Sequence, residues 1–266
     1  MRLGVIGCGN MGGAMLRKLL DSKKFAPQEV IVSDKNQALL SNLQAELGIC
    51  AAENNAQAAN ADILLLAVKP QFIEGVIAEI SPFVKPETLV ISIVLGYDLK
   101  TLAALLKQEQ AHIIRVMPNT PALVGEGVMA ACRGEYITDA EWDYALSLLA
   151  SMGIAEEIPE HLIDAVTGVS GSSPAFMFLF LEALADAGVR AGLPRDTSIR
   201  FAAQTMLGSA KMALETGKHP GQLKDMVTSP AGSTIEGIAS LEKNAFRGAV
   251  IEAADAVVRR SKEFHK

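Results

Sequence analysis

The stretch Leu3-Gly4-Val5-Ile6-Gly7-Cys8-Gly9-Asn10-Met11-Gly12-Gly13 decides how this chain folds. A short apolar run enters a glycine turn, and a helical pattern through Leu16, Leu19 and Leu20 leaves it. Strand, glycines, then helix is the G-x-G-x-x-G arrangement in which a dinucleotide pyrophosphate meets backbone N–H groups at a helix start. The glycines have separate duties. Gly7 permits the turn out of the strand, Gly9 lets the anion approach the backbone, and Gly12 lets the helix pack closely on the sheet. Cys8, inside the loop, reads as a small side chain at a tolerant position rather than as a nucleophile.

Outward from that loop, strand and helix patterns alternate as far as Glu157. Strands are expected at Glu29–Asp34, Asp62–Val68, Thr88–Ile93, His112–Met117, Gly127–Cys132 and Ile154–Ile158, with helices such as Asn36–Leu47 and Asp139–Met152 between them. Asp62–Val68 is a continuous apolar run, as a central parallel strand buried on both faces requires. The alternation implies an α/β fold, a doubly wound parallel sheet, with ligands beyond the carboxyl ends of its strands. The Gly7 loop, Ser33-Asp34-Lys35, Ala67-Val68-Lys69-Pro70 and Met117-Pro118-Asn119-Thr120-Pro121 share that rim. An acidic residue after the second strand holds a ribose diol, and a cation there accommodates a 2′-phosphate. Asp34 followed by Lys35 offers both and does not choose between NAD and NADP.

After Pro159 the strand patterns stop. Helices are expected at about Leu162–Val169, Pro174–Ala191, Asp196–Thr216, Gly221–Met226, Ala231–Leu241 and Ala245–Lys262. The domains are therefore 1–158, a dinucleotide-binding sheet domain, and 159–266, an all-helical domain. The run Ala175–Leu181 is too short to span a bilayer and reads as a buried helix. The helix beginning at Pro174 is apolar nearly all round, more than a small domain buries, so a second subunit is its expected cover, with the centre of a monomeric bundle as the competitor.

Composition narrows the partners. The chain has 266 residues, half apolar and a fifth charged, with net charge −6. No basic block is present, which argues against nucleic acid. Three widely spaced cysteines, Cys8, Cys50 and Cys132, suggest a reducing, cytoplasmic setting. No N-terminal targeting segment is read, since strand residues begin almost at Met1. The four histidines, His112, His161, His219 and His265, lack ligand spacing, so no metal is expected.

A second stretch, Asp225-Met226-Val227-Thr228-Ser229-Pro230-Ala231-Gly232-Ser233-Thr234-Ile235, joins a helix start to a cluster of hydroxyls. Ser229 suits an N-cap and Pro230 the first helical position. Free N–H groups from Ala231 to Thr234 would then meet a small carboxylate, although a plain capped helix explains the same residues equally well. Gly168-Val169-Ser170-Gly171-Ser172-Ser173-Pro174 reads as a helix–helix corner with Ser173 as cap.

Taken together these motifs resemble the pyrroline-5-carboxylate reductase family. The likeness runs over essentially the whole chain: Gly7–Gly12, Ala67–Pro70, Met117–Pro121, Asp164–Ala175, His219–Asp225 and Thr228–Thr234 stand in the family's order and spacing. The resemblance implies a Rossmann domain followed by an all-α dimerisation domain. It implies reduction of the cyclic imine L-1-pyrroline-5-carboxylate to L-proline, the last step of proline biosynthesis, with NADPH usually preferred and NADH a second donor. Matched by position, Ile6, Gly7, Cys8, Gly9, Asn10, Met11, Asn54, Ala67, Val68, Lys69 and Pro70 are its cofactor contacts, and Lys35 is the candidate for a 2′-phosphate. Ser229, Gly232, Ser233 and Thr234 form the substrate site, with Thr234 the hydroxyl nearest the imine. The family's helical domains interleave in a homodimer that often builds larger rings.

Several positions depart from the family. Ser173 and Ala231 stand where it usually has glycine, Asp34-Lys35 replaces an Asn-Arg pair, and Val94-Leu95 are bulkier than usual and threaten to narrow the nicotinamide pocket. Ala231 is expected to be tolerated with a helical φ after Pro230. Two other readings compete. One is another enzyme built the same way, a β-hydroxyacid dehydrogenase or an imine reductase; the dehydrogenases need a helix lysine as general acid in the second domain, for which Lys211 and Lys224 are candidates outside any matching motif. A regulator sensing NADP(H) would let the Thr228–Thr234 stretch decay, and it is intact.

Overall fold

A computed structural model describes residues 1–264, so His265 lies outside the described residues. The elements run β1 (Leu3–Ile6), α1 (Asn10–Asp21), β2 (Val30–Ser33), α2 (Gln37–Leu47), β3 (Cys50–Ala51), α3 (Asn55–Ala59), β4 (Ile63–Leu66) and α4 (Ile73–Ile80). They continue with β5 (Leu89–Ser92), α5 (Leu99–Leu106), β6 (Ile113–Met117), β7 (Gly127–Arg133), α6 (Asp139–Leu149), β8 (Gly153–Glu157) and α7 (Ile163–Val166). The remaining helices are α8 (Ser173–Arg190), α9 (Arg195–Thr216), α10 (Pro220–Met226), α11 (Ser233–Lys243) and α12 (Phe246–Lys262).

The sheet order is β3-β2-β1-β4-β5-β6-β7-β8. Strands β1 to β6 run parallel, as the continuous apolar runs require. Ile63–Leu66 is buried throughout, each side chain contributing about 2 kcal/mol of hydrophobic stabilisation. Alternate residues serve opposite faces. Ile63 and Leu65 join one core with Met15, Leu16, Leu43, Trp142 and Leu148. Leu64 and Leu66 join the other with Ile73, Ile77, Leu102 and Leu106. Helices thus cover both faces, and the strand carboxyl ends are left as the open rim.

Two features differ from the expected sheet. Strand β7 is antiparallel to β6, because the connection Pro118–Glu126 is shorter than the dozen or so residues a parallel crossover needs. Strand β3 is an unforeseen two-residue edge, too short to leave an alternation pattern.

The chain forms two compact units: Met1–Ser172 with the segment from Val257 on, and Ser173–Ala256. The division falls later than 158/159 because the first helical segment stays with the sheet. Buried Arg115 on β6 donates through Nη1 to Glu160 Oε1 at 3.0 Å. The end of α12 also belongs here, through Ser261 Oγ donating to Asp164 Oδ1 at 2.6 Å with both residues buried.

The expected corner at Gly168–Pro174 is instead a π-helical turn, Thr167–Gly171, in which Ser172 N donates to Thr167 O. Small residues let the backbone widen there. Consequently the apolar run belongs to a helical stretch, Glu160–Arg190, that by length and composition is long enough to cross a membrane. Within one chain that helix is not buried. On α8, Phe178 is 66% exposed and Leu179 68%, with only Ala185 buried. A single chain does not cover this face, which removes the monomeric-bundle reading.

Candidate active site

The glycine loop is set by close backbone approach. Gly7 has φ +93° and donates its N–H to Ser33 O at 2.9 Å. A Cβ on Gly7 would stand 2.7 Å from Ala67 O, and one on Gly12 would stand 2.1 Å from Gly7 O. Ala67 N in turn donates to Ile6 O at 2.9 Å. Ile6–Met11 and Ala67–Pro70 therefore share one stretch of rim. Helix α1 starts at Asn10 with Gly9 as an extended N-cap and no side-chain cap. Its first N–H groups have no intrahelical partner and face anions favourably. A Cβ on Gly9 would meet nothing within 4 Å. That open cradle fits a pyrophosphate.

Beside the loop, Asp34 acts as a brace. Cys8 N donates to its Oδ2 at 2.6 Å and Asn36 N to its Oδ1 at 2.8 Å. The next residue, Lys35, places Nζ 4.0 Å from the centroid of the Phe72 ring. Ser33 Oγ donates to Asn55 Oδ1 at 2.7 Å. Asn54 is the N-cap of α3, its Oδ1 accepting from Gln57 N at 3.0 Å. Burial first, and the Asp34 charge second, push the Cys8 thiol up to about 12, so it is not a nucleophile near neutrality. Lys69 is exposed at the start of the turn Pro70–Phe72.

Asn119 is a residue whose role the sequence concealed. Its Oδ1 accepts from Val128 N at 2.9 Å, and its Nδ2 donates to Ser170 O and Oγ at 3.3 and 3.1 Å. It ties the end of β6 to β7 and to the π-helical turn. Only its place in Met117–Pro121, beyond a strand end, hinted at this. Val94 is buried in the core with Tyr97 and Leu102, so it does not narrow a rim pocket. Leu95 is half-buried.

In the second unit, the helix start differs from expectation. Ser229 is not the N-cap and Pro230 does not open the helix. Ser229–Gly232 is a turn, with Gly232 N donating to Ser229 O at 3.1 Å, and α11 begins at Ser233 with Gly232 as its extended N-cap. The φ of Pro230 suits the second position of a turn as well as a first helical position. Ala231, at the third position, is then left-handed with φ +55° rather than helical. A Cβ on Gly232 would stand 2.3 Å from Ser229 Oγ. Ser229 Oγ and the open N-terminus of α11 therefore lie together, and Ser229, Ser233 and Thr234 are exposed. Lys211 and Lys224 are paired with Glu215 and Asp225. Among the described residues, no three His, Cys, Asp or Glu side chains gather to hold a metal.

A glycine cradle at the carboxyl end of an interior parallel strand, preceding a helical unit, defines the dinucleotide-binding class of proteins. Residues 2–96 match the family described as NADP oxidoreductase, coenzyme F420-dependent, and residues 160–264 match the one described as pyrroline-5-carboxylate reductase dimerisation. The chain is 44% identical over 266 residues to the pyrroline-5-carboxylate reductases of Methanosarcina acetivorans and of Escherichia coli K12, covering 100% of this chain and 98% of each enzyme. The Plasmodium falciparum pyrroline carboxylate reductase crystallised with NADP bound is 33% identical with a TM-score of 0.88, over 100% of this chain and 98% of that one. The Coxiella burnetii enzyme superposes with a TM-score of 0.91 at 33% identity and the same coverage. The chain belongs to the pyrroline-5-carboxylate reductase family.

Proposed function

We propose that this chain reduces L-1-pyrroline-5-carboxylate to L-proline with hydride from NADPH, or from NADH less readily, as the last step of proline biosynthesis. The observation that carries the reading is its end-to-end 44% identity to reductases of that name. The open cradle above Gly9 supports a dinucleotide at Ile6–Met11 and Ala67–Pro70, with Asn54 beside it and Lys35 toward the ribose. On this reading, residues 1–158 carry the nucleotide role and 159–266 the substrate and assembly roles.

When bound, the dinucleotide supplies a hydride to the imine carbon. The protein's task is to fix geometry, since a protonated imine is already electrophilic. The substrate carboxylate is assigned to the N–H groups of Ser233 and Thr234 at the α11 start, with Ser229 Oγ as a further donor. Gly232 lets the anion come close. Thr234 Oγ orients the ring nitrogen, and no histidine or lysine is needed for that.

The exposed apolar face of α8, within a segment matching a dimerisation family, supports a homodimer, which we propose assembles further into a ring. The same cover accounts for the apolar run without a membrane, in a cytoplasmic enzyme. The deciding experiment is the initial rate of NADPH and NADH oxidation by purified protein with pyrroline-5-carboxylate. Rapid turnover with proline as product is expected; nucleotide binding without turnover would overturn the reading in favour of a sensor.

A further inference from the structure

We propose that Phe72 is a positioning residue for cofactor choice: its ring holds the Lys35 ammonium at the rim where a ribose 2′-phosphate arrives, and so favours the phosphorylated dinucleotide. The inference rests on the reductase reading and names the specificity of its nucleotide site.

The residue that would read an unphosphorylated ribose is already engaged by the protein. Both carboxylate oxygens of Asp34 accept backbone N–H groups, one of them from Cys8 in the glycine loop itself. A carboxylate bracing the loop in this way has less capacity for a diol. Lys35 follows it directly. The Phe72 ring face, 4.0 Å from Nζ, attracts the ammonium without neutralising it and leaves N–H donors for an anion.

Topology puts the pair where it matters. Lys35 follows β2 and Phe72 follows β4, and these strands flank β1 on its two sides. The contact therefore reaches across the end of the strand that carries the glycine loop. Phe72 is also held from behind. It closes the single turn Pro70–Phe72, and the next residue, Ile73, is fully buried as the first residue of α4. Phe72 itself is 42% exposed, so the core does not account for a phenyl ring there. A free lysine side chain would lose rotamer entropy on meeting a phosphate, and the ring removes part of that loss beforehand.

The test is calorimetric titration of the full-length protein with NADPH, NADH, 2′,5′-ADP and 5′-ADP. Phe72→Leu should raise Kd for NADPH and 2′,5′-ADP about threefold while leaving NADH and 5′-ADP unchanged. Phe72→Tyr should restore wild-type values. Lys35→Met should cost the 2′-phosphorylated ligands about tenfold, and adding Phe72→Leu to it should change nothing further, because the two residues act as one unit. Equal weakening of NADH and NADPH by Phe72→Leu would overturn the proposal, since the ring would then serve the adenine. No change in any ligand would overturn it as well. A wild-type protein that binds no dinucleotide would instead remove the reductase reading beneath it.

Discussion

The glycine loop after β1 and the Ser229–Thr234 loop before α11 present one device on unlike supports. Each ends in a helix opened by a glycine N-cap with no side-chain cap, Gly9 for α1 and Gly232 for α11. Around Gly7 and Gly12 the neighbours are backbone carbonyls of the sheet rim, and Asp34 pins the loop through Cys8 N. Around Gly232 the nearest neighbour is the Ser229 hydroxyl, a rotatable side-chain end, in a four-residue turn held by one backbone hydrogen bond. The first cradle is dictated by the fold and the second by local turn chemistry. A cradle of the first kind is inherited with a sheet, whereas one of the second kind rests on a few exposed residues that are free to vary.

The largest expected effect tests the rigid side of this contrast. Gly12→Ala drives a Cβ into Gly7 O, which cannot step aside, and should cost about 3 kcal/mol in urea unfolding; an unchanged midpoint would mean the loop is not locked. On the soft side, Thr234→Ala should lower kcat at least about tenfold with NADPH affinity nearly unchanged. Full activity would remove Thr234 from the reaction. Gly9→Ala separates fold from function within one loop. Its Cβ enters open space, so Tm should hold while Kd for NADPH rises about tenfold, as the cradle is filled.

Smaller effects refine the comparison. Ala231→Gly relieves a left-handed alanine, a gain of about 1 kcal/mol that greater unfolded-state freedom offsets to about 0.5 kcal/mol. A lower Tm would show that the turn does not demand positive φ. Finally, thiol labelling at pH 8 should modify the exposed Cys50 alone. Burial holds Cys8 at about 12 and Cys132 at about 11, so both should stay protonated and shielded until the chain unfolds. Early reaction at Cys8 would show that the glycine loop opens.

The elements of the sheet unit were legible because their patterns are local. Glu29–Asp34, Asp62–Val68 and His112–Met117 each contain the observed strand, and the helix expected from Asn36 is observed from Gln37. Expectation and structure part where two conformations share the same residues. Pro230 fits a helix start and a turn alike, and Gly168–Ser173 fits a corner and a π-helical turn alike. The direction of β7 was hidden for another reason, since a strand pattern has no polarity and only the short Pro118–Glu126 link betrays it. Asp34 invited a ribose role by position, and the structure adds a second one that no local pattern shows, since its oxygens accept from Cys8 N and Asn36 N.

By itself, then, the amino-acid sequence determined the alternation of strands and helices, the glycine cradle and the family, because periodicity, glycine placement and motif order are properties of neighbouring residues. Tertiary structure alone decided the pairings between distant ones: Asp34 with Cys8, Lys35 with Phe72, Asn119 with Ser170, and Asp164 with Ser261. The physical reason is that a hydrogen bond or ring contact depends on distances set by how the strands are ordered in the sheet, and strand order leaves no mark on the residues within any one strand.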